Sequence, residues 1–203
     1  MKLLQGMCVA ATLAAAGSAQ AAGIGVRAGT LGIGGDVAWS VAPTLSARIG
    51  YSALSWDRDV STDRVSYDGT LKLSNLNTFL DLSPLGPLRL TGGLIFNRNR
   101  YDVRGDFLGG SVSGEVKTGS SAAPYLGIGY GNVSGLGVNF YADLGIMFQG
   151  SPRASLTANC GALSAGACTT LRNEVAAEQA RLEDKLKRFK YYPVANIGIT
   201  IGF

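Results

Sequence analysis

Apolar and polar residues alternate with a period of two along most of the chain. Residues 138–149 show it most clearly. Val138, Phe140, Ala142, Leu144, Ile146 and Phe148 fall on one face, and Asn139, Tyr141, Asp143, Gly145, Met147 and Gln149 on the other. Alternation of this kind marks a β-strand with two different faces. It recurs in residues 30–41, where Leu31, Ile33, Val37 and Trp39 share a face, and in residues 45–53, 88–97, 126–131 and 191–203. Residues 70–83 change phase between Leu73 and Leu76, which predicts a β-bulge near Ser74 and Asn75. Most of these seven segments run to about nine to thirteen residues, the length that crosses a bilayer when a strand is tilted.

The position of charge separates a soluble sandwich from a membrane barrel. Asp36, Arg48, Arg89 and Asp143 all lie on the polar parity, and the apolar faces of the clean strands carry no formal charge. Charge is costly toward lipid and tolerable inside a barrel. The expected fold class is therefore all-β: a closed antiparallel transmembrane β-barrel of eight strands. An open sheet would leave backbone groups unpaired in hydrocarbon. The eighth strand is residues 24–29, through a tight turn near Gly29. Residues 154–158 or 106–112 are the alternatives, and ten strands follow if two loop segments pair. Short connections alternate with long ones, at 57–68, 101–117 and 150–188. Inside, Arg48 or Arg89 is expected to pair with Asp36, Asp81 or Asp143. Such a network either fills the barrel or lines a narrow solute path.

The last nine residues, Ala195-Asn196-Ile197-Gly198-Ile199-Thr200-Ile201-Gly202-Phe203, alternate and end on an aromatic ring. With Pro124-Tyr125-Leu126-Gly127-Ile128-Gly129-Tyr130-Gly131 and Asp143-Leu144-Gly145, they resemble the small outer-membrane β-barrel proteins of Gram-negative bacteria. The resemblance implies transit with periplasmic chaperones and insertion by the barrel-assembly machinery, with Phe203 as the assembly signal. It implies a monomer in the outer membrane, with lipid and lipopolysaccharide as partners and no cofactor. Members of this group include structural proteins, adhesins, narrow channels and lipid-modifying enzymes, so a role does not transfer with the fold.

Several further features narrow the picture. Residues 1–21 read as a secretory signal peptide: Lys2, an apolar run at 7–16, then Ala19-Gln20-Ala21 for cleavage, with Cys8 removed alongside. Residues 22–203 are the barrel domain. The chain of 203 residues has no histidine, which excludes the histidine bases used by barrel hydrolases and proteases of this group, and imidazole metal sites. Asp57, Asp59 and Asp63 form an acidic group without a catalytic or calcium-loop signature. The Gly-rich stretch 29–35 lacks the ending of a phosphate loop. A net charge of +4 does not predict nucleic-acid binding.

In the last long insert the period changes to 3.6. Residues 170–187 predict an amphipathic helix capped by Thr170, with Leu171, Val175, Leu182, Leu186 and Phe189 on one stripe. Glu183 with Lys187, and Asp184 with Arg188, suit i,i+4 pairing. Arg181, Lys185, Lys187, Arg188 and Lys190 are candidates for lipopolysaccharide phosphates or a partner. Cys160 and Cys168 are candidates for a disulfide in an oxidising compartment. Trp39, Trp56, Tyr67, Tyr191 and Tyr192 suit aromatic girdles. The expected function is a structural or surface-interaction role without enzyme activity, and the alternative is a narrow porin-like channel.

Overall fold

A computed structural model describes residues 21–62, 65–107 and 110–203. The expected signal peptide lies outside the described residues. Eight strands form a closed ring: β1 (Ala22–Gly29), β2 (Gly32–Ala42), β3 (Leu45–Thr62), β4 (Val65–Leu85), β5 (Leu88–Asn97), then β8 (Ala122–Gly131), β9 (Gly137–Phe148) and β11 (Tyr191–Gly202). Every pairing is antiparallel, and β11 closes onto β1. Ala22 and Phe203 exchange backbone hydrogen bonds at the seam, 3.1 and 2.9 Å. The ring contains the seven segments read from the alternation, and residues 24–29 supply the eighth strand.

The faces also fall as their parity predicts. Phe140, Leu144 and Ile197 are 67%, 61% and 68% exposed, whereas Tyr141, Asp143 and Asn196 are buried. An apolar band running around the outside, enclosing a polar interior, is the reverse of a soluble domain. Leu31 breaks the pattern and is fully buried. Gly32, at φ +106°, ends the turn after β1 and sends Leu31 into the barrel mouth instead of outward.

The bulge expected near Ser74 and Asn75 is absent. Register between β3 and β4 runs unbroken from Leu45 opposite Leu82 to Thr62 opposite Val65. What changes at this level is the neighbour on the other side. Strand β4 pairs with β5 up to Asn75 opposite Asn97. From Lys72 opposite Arg100 onward it pairs with β6 (Arg100–Phe107). Asn99 patches the join: its side chain accepts the Ser74 N–H at 3.0 Å. The phase change in the sequence marks the point where β4 leaves the barrel wall.

The long connections are therefore not loops. Residues 57–62 continue β3 and residues 65–68 begin β4. Residues 101–117 hold most of β6 and all of β7 (Gly110–Lys117), and β10 (Arg153–Asn159) follows β9. Strands β3, β4, β6, β7 and β10 form a sheet that rises from one side of the barrel. This overturns the ten-strand alternative: β6, β7 and β10 pair with each other above the ring and do not enlarge it. Residues 106–112 are likewise not one strand, since they span the β6–β7 connection.

The helix α1 runs Ala165–Leu186, five residues longer at its start than expected. Ser164 is its cap, accepting from the Ala167 N–H at 3.4 Å. Thr170 lies inside the helix and donates to the Gly166 carbonyl. Its i,i+3 pairs are Arg181 with Glu178 and Lys187 with Asp184. Leu171, Val175, Leu182 and Leu186 are half-buried along one stripe, and the helix packs on β10. Gln179 accepts the Leu156 N–H at 3.0 Å, occupying a backbone donor on the free edge of the sheet.

Cys160 and Cys168 form a disulfide, with Cα atoms 5.3 Å apart, that ties the end of β10 to the first turn of α1. Closing so short a loop contributes about 2–3 kcal/mol to local order. Replacing both cysteines by serine is expected to speed protease cleavage within 150–190 about tenfold while leaving the barrel's unfolding midpoint in place. Unchanged cleavage would show that the helix is held by its packing alone.

Candidate functional site: an ionic ring in the barrel lumen

Four of the expected interior charges meet at the centre of the barrel. Arg48 on β3 reaches Asp143 on β9 at 2.9 Å and Asp81 on β4 at 3.2 Å. Arg89 on β5 reaches the same two carboxylates, Asp81 at 3.0 Å and Asp143 at 2.8 Å. Each arginine bridges both aspartates, so the four side chains close a neutral ring across the lumen. Thr91 donates to Asp81 at 2.6 Å. All four ring members are between 0 and 3% exposed. A passage wide enough for water would leave accessible surface on the residues that line it. These charges are paired with each other, as burial requires.

Aromatic rings and glycines frame the arginines. The Arg48 guanidinium lies over Tyr141 and Phe79, 4.9 and 5.2 Å from their centroids. Such stacking favours arginine over lysine. Gly129 makes the space: a Cβ there would stand 2.7 Å from the Arg89 guanidinium and 2.6 Å from the Asp143 carboxylate.

Asp36 does not join this ring. It pairs with Arg27 of β1 at 3.2 Å and accepts the Tyr141 hydroxyl. Arg27 also donates to Asn77 and, at 3.3 Å, to Ser52. Arg27 is not among the residues expected from the sequence. The signal is present in β1, where Ile24, Val26 and Ala28 share the outward face and leave Arg27 on the inward one.

Apolar layers seal both ends of this polar centre. Toward the long connections, Leu31, Phe79, Ile95, Ala123, Tyr125, Met147 and Val194 form one buried cluster. The Leu31 carbonyl accepts from Asn75 at 2.9 Å and Ser52 at 3.1 Å. At the opposite end the β8–β9 connection folds across the opening. Val133 packs with Ala38 and Tyr141, and the Ser134 hydroxyl lies 3.0 Å from those of Ser40 and Ser46.

The other expected residues scatter. Arg181, Lys185, Lys187, Arg188 and Lys190 are exposed on α1 and just beyond it. Phe203 is exposed at the seam. Tyr191 faces outward and packs edge-on against Phe148 at 5.5 Å, as a girdle residue would. Tyr192 does not belong to a girdle: its ring packs on the apolar cluster and its hydroxyl donates to the Thr30 carbonyl at 2.8 Å. Trp56 stands above the ring on the rising sheet, with Arg58 over its face at 5.6 Å. The side chains of Asp59 and Tyr67, and the whole of Asp63, lie outside the described residues.

The closed ring of tilted-length strands, its apolar outside and its charged, filled inside define an eight-stranded outer-membrane-type β-barrel. Acinetobacter baumannii CarO shares this fold: it is 21% identical, with a TM-score of 0.62 over 89% of this chain and 97% of that one. Acinetobacter baumannii CarO2 is 20% identical, with a TM-score of 0.62 over 92% and 100%. A major outer membrane protein from Thermus thermophilus aligns at 15% identity with a TM-score of 0.45, over 92% and 100%. No protein-family model and no curated protein matches the chain.

Proposed function

We propose that this chain is an exported outer-membrane protein whose barrel is a closed, non-conducting support for the sheet and helix above it. Its role is structural or interactive at the cell surface. The ionic ring carries this reading: Arg48, Asp81, Arg89 and Asp143 pair with one another across the lumen and are 0–3% exposed. Opening a solute path there would separate buried opposite charges, at a cost of several kcal/mol. Ala22, Phe203 and the β2–β3, β4–β5 and β8–β9 connections then face the periplasm, and the rising sheet and α1 face outward. Phe203, at the end of the seam strand, is the proposed assembly signal, and residues 1–21 the export signal. One chain closes the ring by itself, which suits a monomer. With no histidine in the chain, the reading is non-enzymatic.

Liposome swelling separates this role from a narrow porin. Liposomes holding the folded protein are expected to swell in small sugars and amino acids no faster than empty ones. Solute-dependent swelling that changes when Arg48 or Arg89 is replaced would establish the channel instead.

A further inference from the structure

The rising sheet carries a row of four cations that neither the barrel nor the helix uses. Lys72 pairs directly with Arg100, Arg100 with Lys117, and Lys117 with Arg153, on four adjacent strands. Directly opposed residues share a face, and like charges opposed in this way destabilise a sheet. Asp102 neutralises part of the row, at 3.6 Å from Lys72 and 3.4 Å from Arg100, and Glu115 lies 2.7 Å from Lys117. Arg153 has no acidic partner among the described residues. Within this row two acids stand against four cations, an excess that an anion would relieve; farther from the barrel the same face carries Asp57, Asp68 and Asp106 with Arg104.

The unbroken register of β4 fixes which way this row faces. Leu82, Leu80 and Leu76 point outward from the barrel, and Lys72 continues the same parity. A strand rise of about 3.4 Å per residue and a tilt of about 40° put Lys72 roughly 10 Å above Leu76 along the membrane normal. That is headgroup depth, directly over the lipid-facing band. Just beyond the row, the same face holds a concavity of about 400 Å³ whose lining includes three carboxylates, Asp68, Asp102 and Glu115, with Arg104 and the hydroxyls of Thr70 and Thr157. Hydroxyls and carboxylates beside a cation row match a sugar that carries phosphate. The opposite face is apolar, with Leu71, Tyr101, Val116 and Ala154 in one row, and at β10 that face is the buried one, where α1 packs.

We propose that this outward face of the rising sheet binds the phosphorylated sugar headgroup of an outer-leaflet lipid, with Lys72, Arg100, Lys117 and Arg153 holding the phosphates. The inference rests on the outer-membrane reading above. It also places the lipid contact on the sheet, not on the basic residues of α1.

The test uses the full folded chain in zwitterionic micelles, titrated with diphosphoryl lipid A, with its dephosphorylated form and with inorganic phosphate. Heat-dependent gel mobility reports folding at each step. Diphosphoryl lipid A is expected to bind, and more weakly as salt rises. A variant with Lys72→Gln, Arg100→Gln, Lys117→Gln and Arg153→Gln is expected to bind at least about tenfold more weakly. Exchanging lysine for arginine and arginine for lysine at these positions should retain binding. So should glutamine at Arg181, Lys185, Lys187, Arg188 and Lys190. A folded four-glutamine variant that binds like wild type overturns the proposal. So does equal binding of the dephosphorylated lipid, full competition by inorganic phosphate, or loss of binding in the helix variant alone. A wild-type chain that does not fold in micelles overturns the membrane reading itself, a separate failure.

Discussion

An Asp143→Ala variant is expected to lose about 3–5 kcal/mol of stability, measured by reversible urea unfolding from a lipid bilayer. Asp143 accepts from both Arg48 and Arg89, and all three side chains are buried. Its removal leaves two guanidinium groups sharing Asp81 in a medium that solvates neither. The sharper result concerns the whole ring. Replacing Arg48 and Arg89 by methionine together with Asp81 and Asp143 by leucine removes the charges along with their mutual attraction. Desolvation then costs nothing, and the fourfold variant is expected to be more stable than Asp143→Ala alone. A neutral Asp143→Ala would mean that water reaches these arginines, and the filled lumen would be wrong.

A Leu144→Arg variant should lose about 2–4 kcal/mol in the same bilayer assay. Leu144 is 61% exposed at the middle of β9, between Phe140 and Phe148 on the outward face. In a soluble protein so exposed a leucine could become arginine with an effect of about 0.5 kcal/mol or less. Surrounded by hydrocarbon, the same arginine must snorkel or thin the bilayer. Ala180→Arg, on the exposed side of α1, is the control and should be near neutral. Equal effects at the two sites would remove the lipid from around the barrel.

The barrel is legible in the sequence because lipid and lumen impose opposite demands on alternate residues of every wall strand. That constraint alone puts Asp36, Arg48, Asp81, Arg89 and Asp143 inside. The same logic covers Arg27, whose position on β1 follows from its neighbours Ile24 and Val26. The pairing choice is not legible: parity puts Asp36 inside but does not say that it meets Arg27 and Tyr141 and stays out of the ring.

Sequence and structure part where the alternation stops being enforced. Above the membrane, a strand needs one apolar face at most, so β6, β7 and β10 look like polar loops with Gly, Ser and Asp. Leu31 sits in a turn, where Gly32 breaks the two-residue period. Tyr192 lies near the start of β11 and Trp56 well inside the long β3, and position along a strand says nothing about which face a ring takes. The helix start is obscured because Gly166 and the small residues around Cys168 carry little apolar periodicity. A disulfide and a Ser164 cap hold that first turn instead.

Single-channel recording of the folded chain in a planar bilayer tests the closed lumen most directly, once heat-dependent gel mobility has shown that the barrel is formed. The ionic ring and the apolar layers on either side of it predict a silent baseline across the full range of applied potential. Reproducible conductance steps that change when Arg48 or Arg89 is replaced would contradict the account, and would make the ring the lining of a channel.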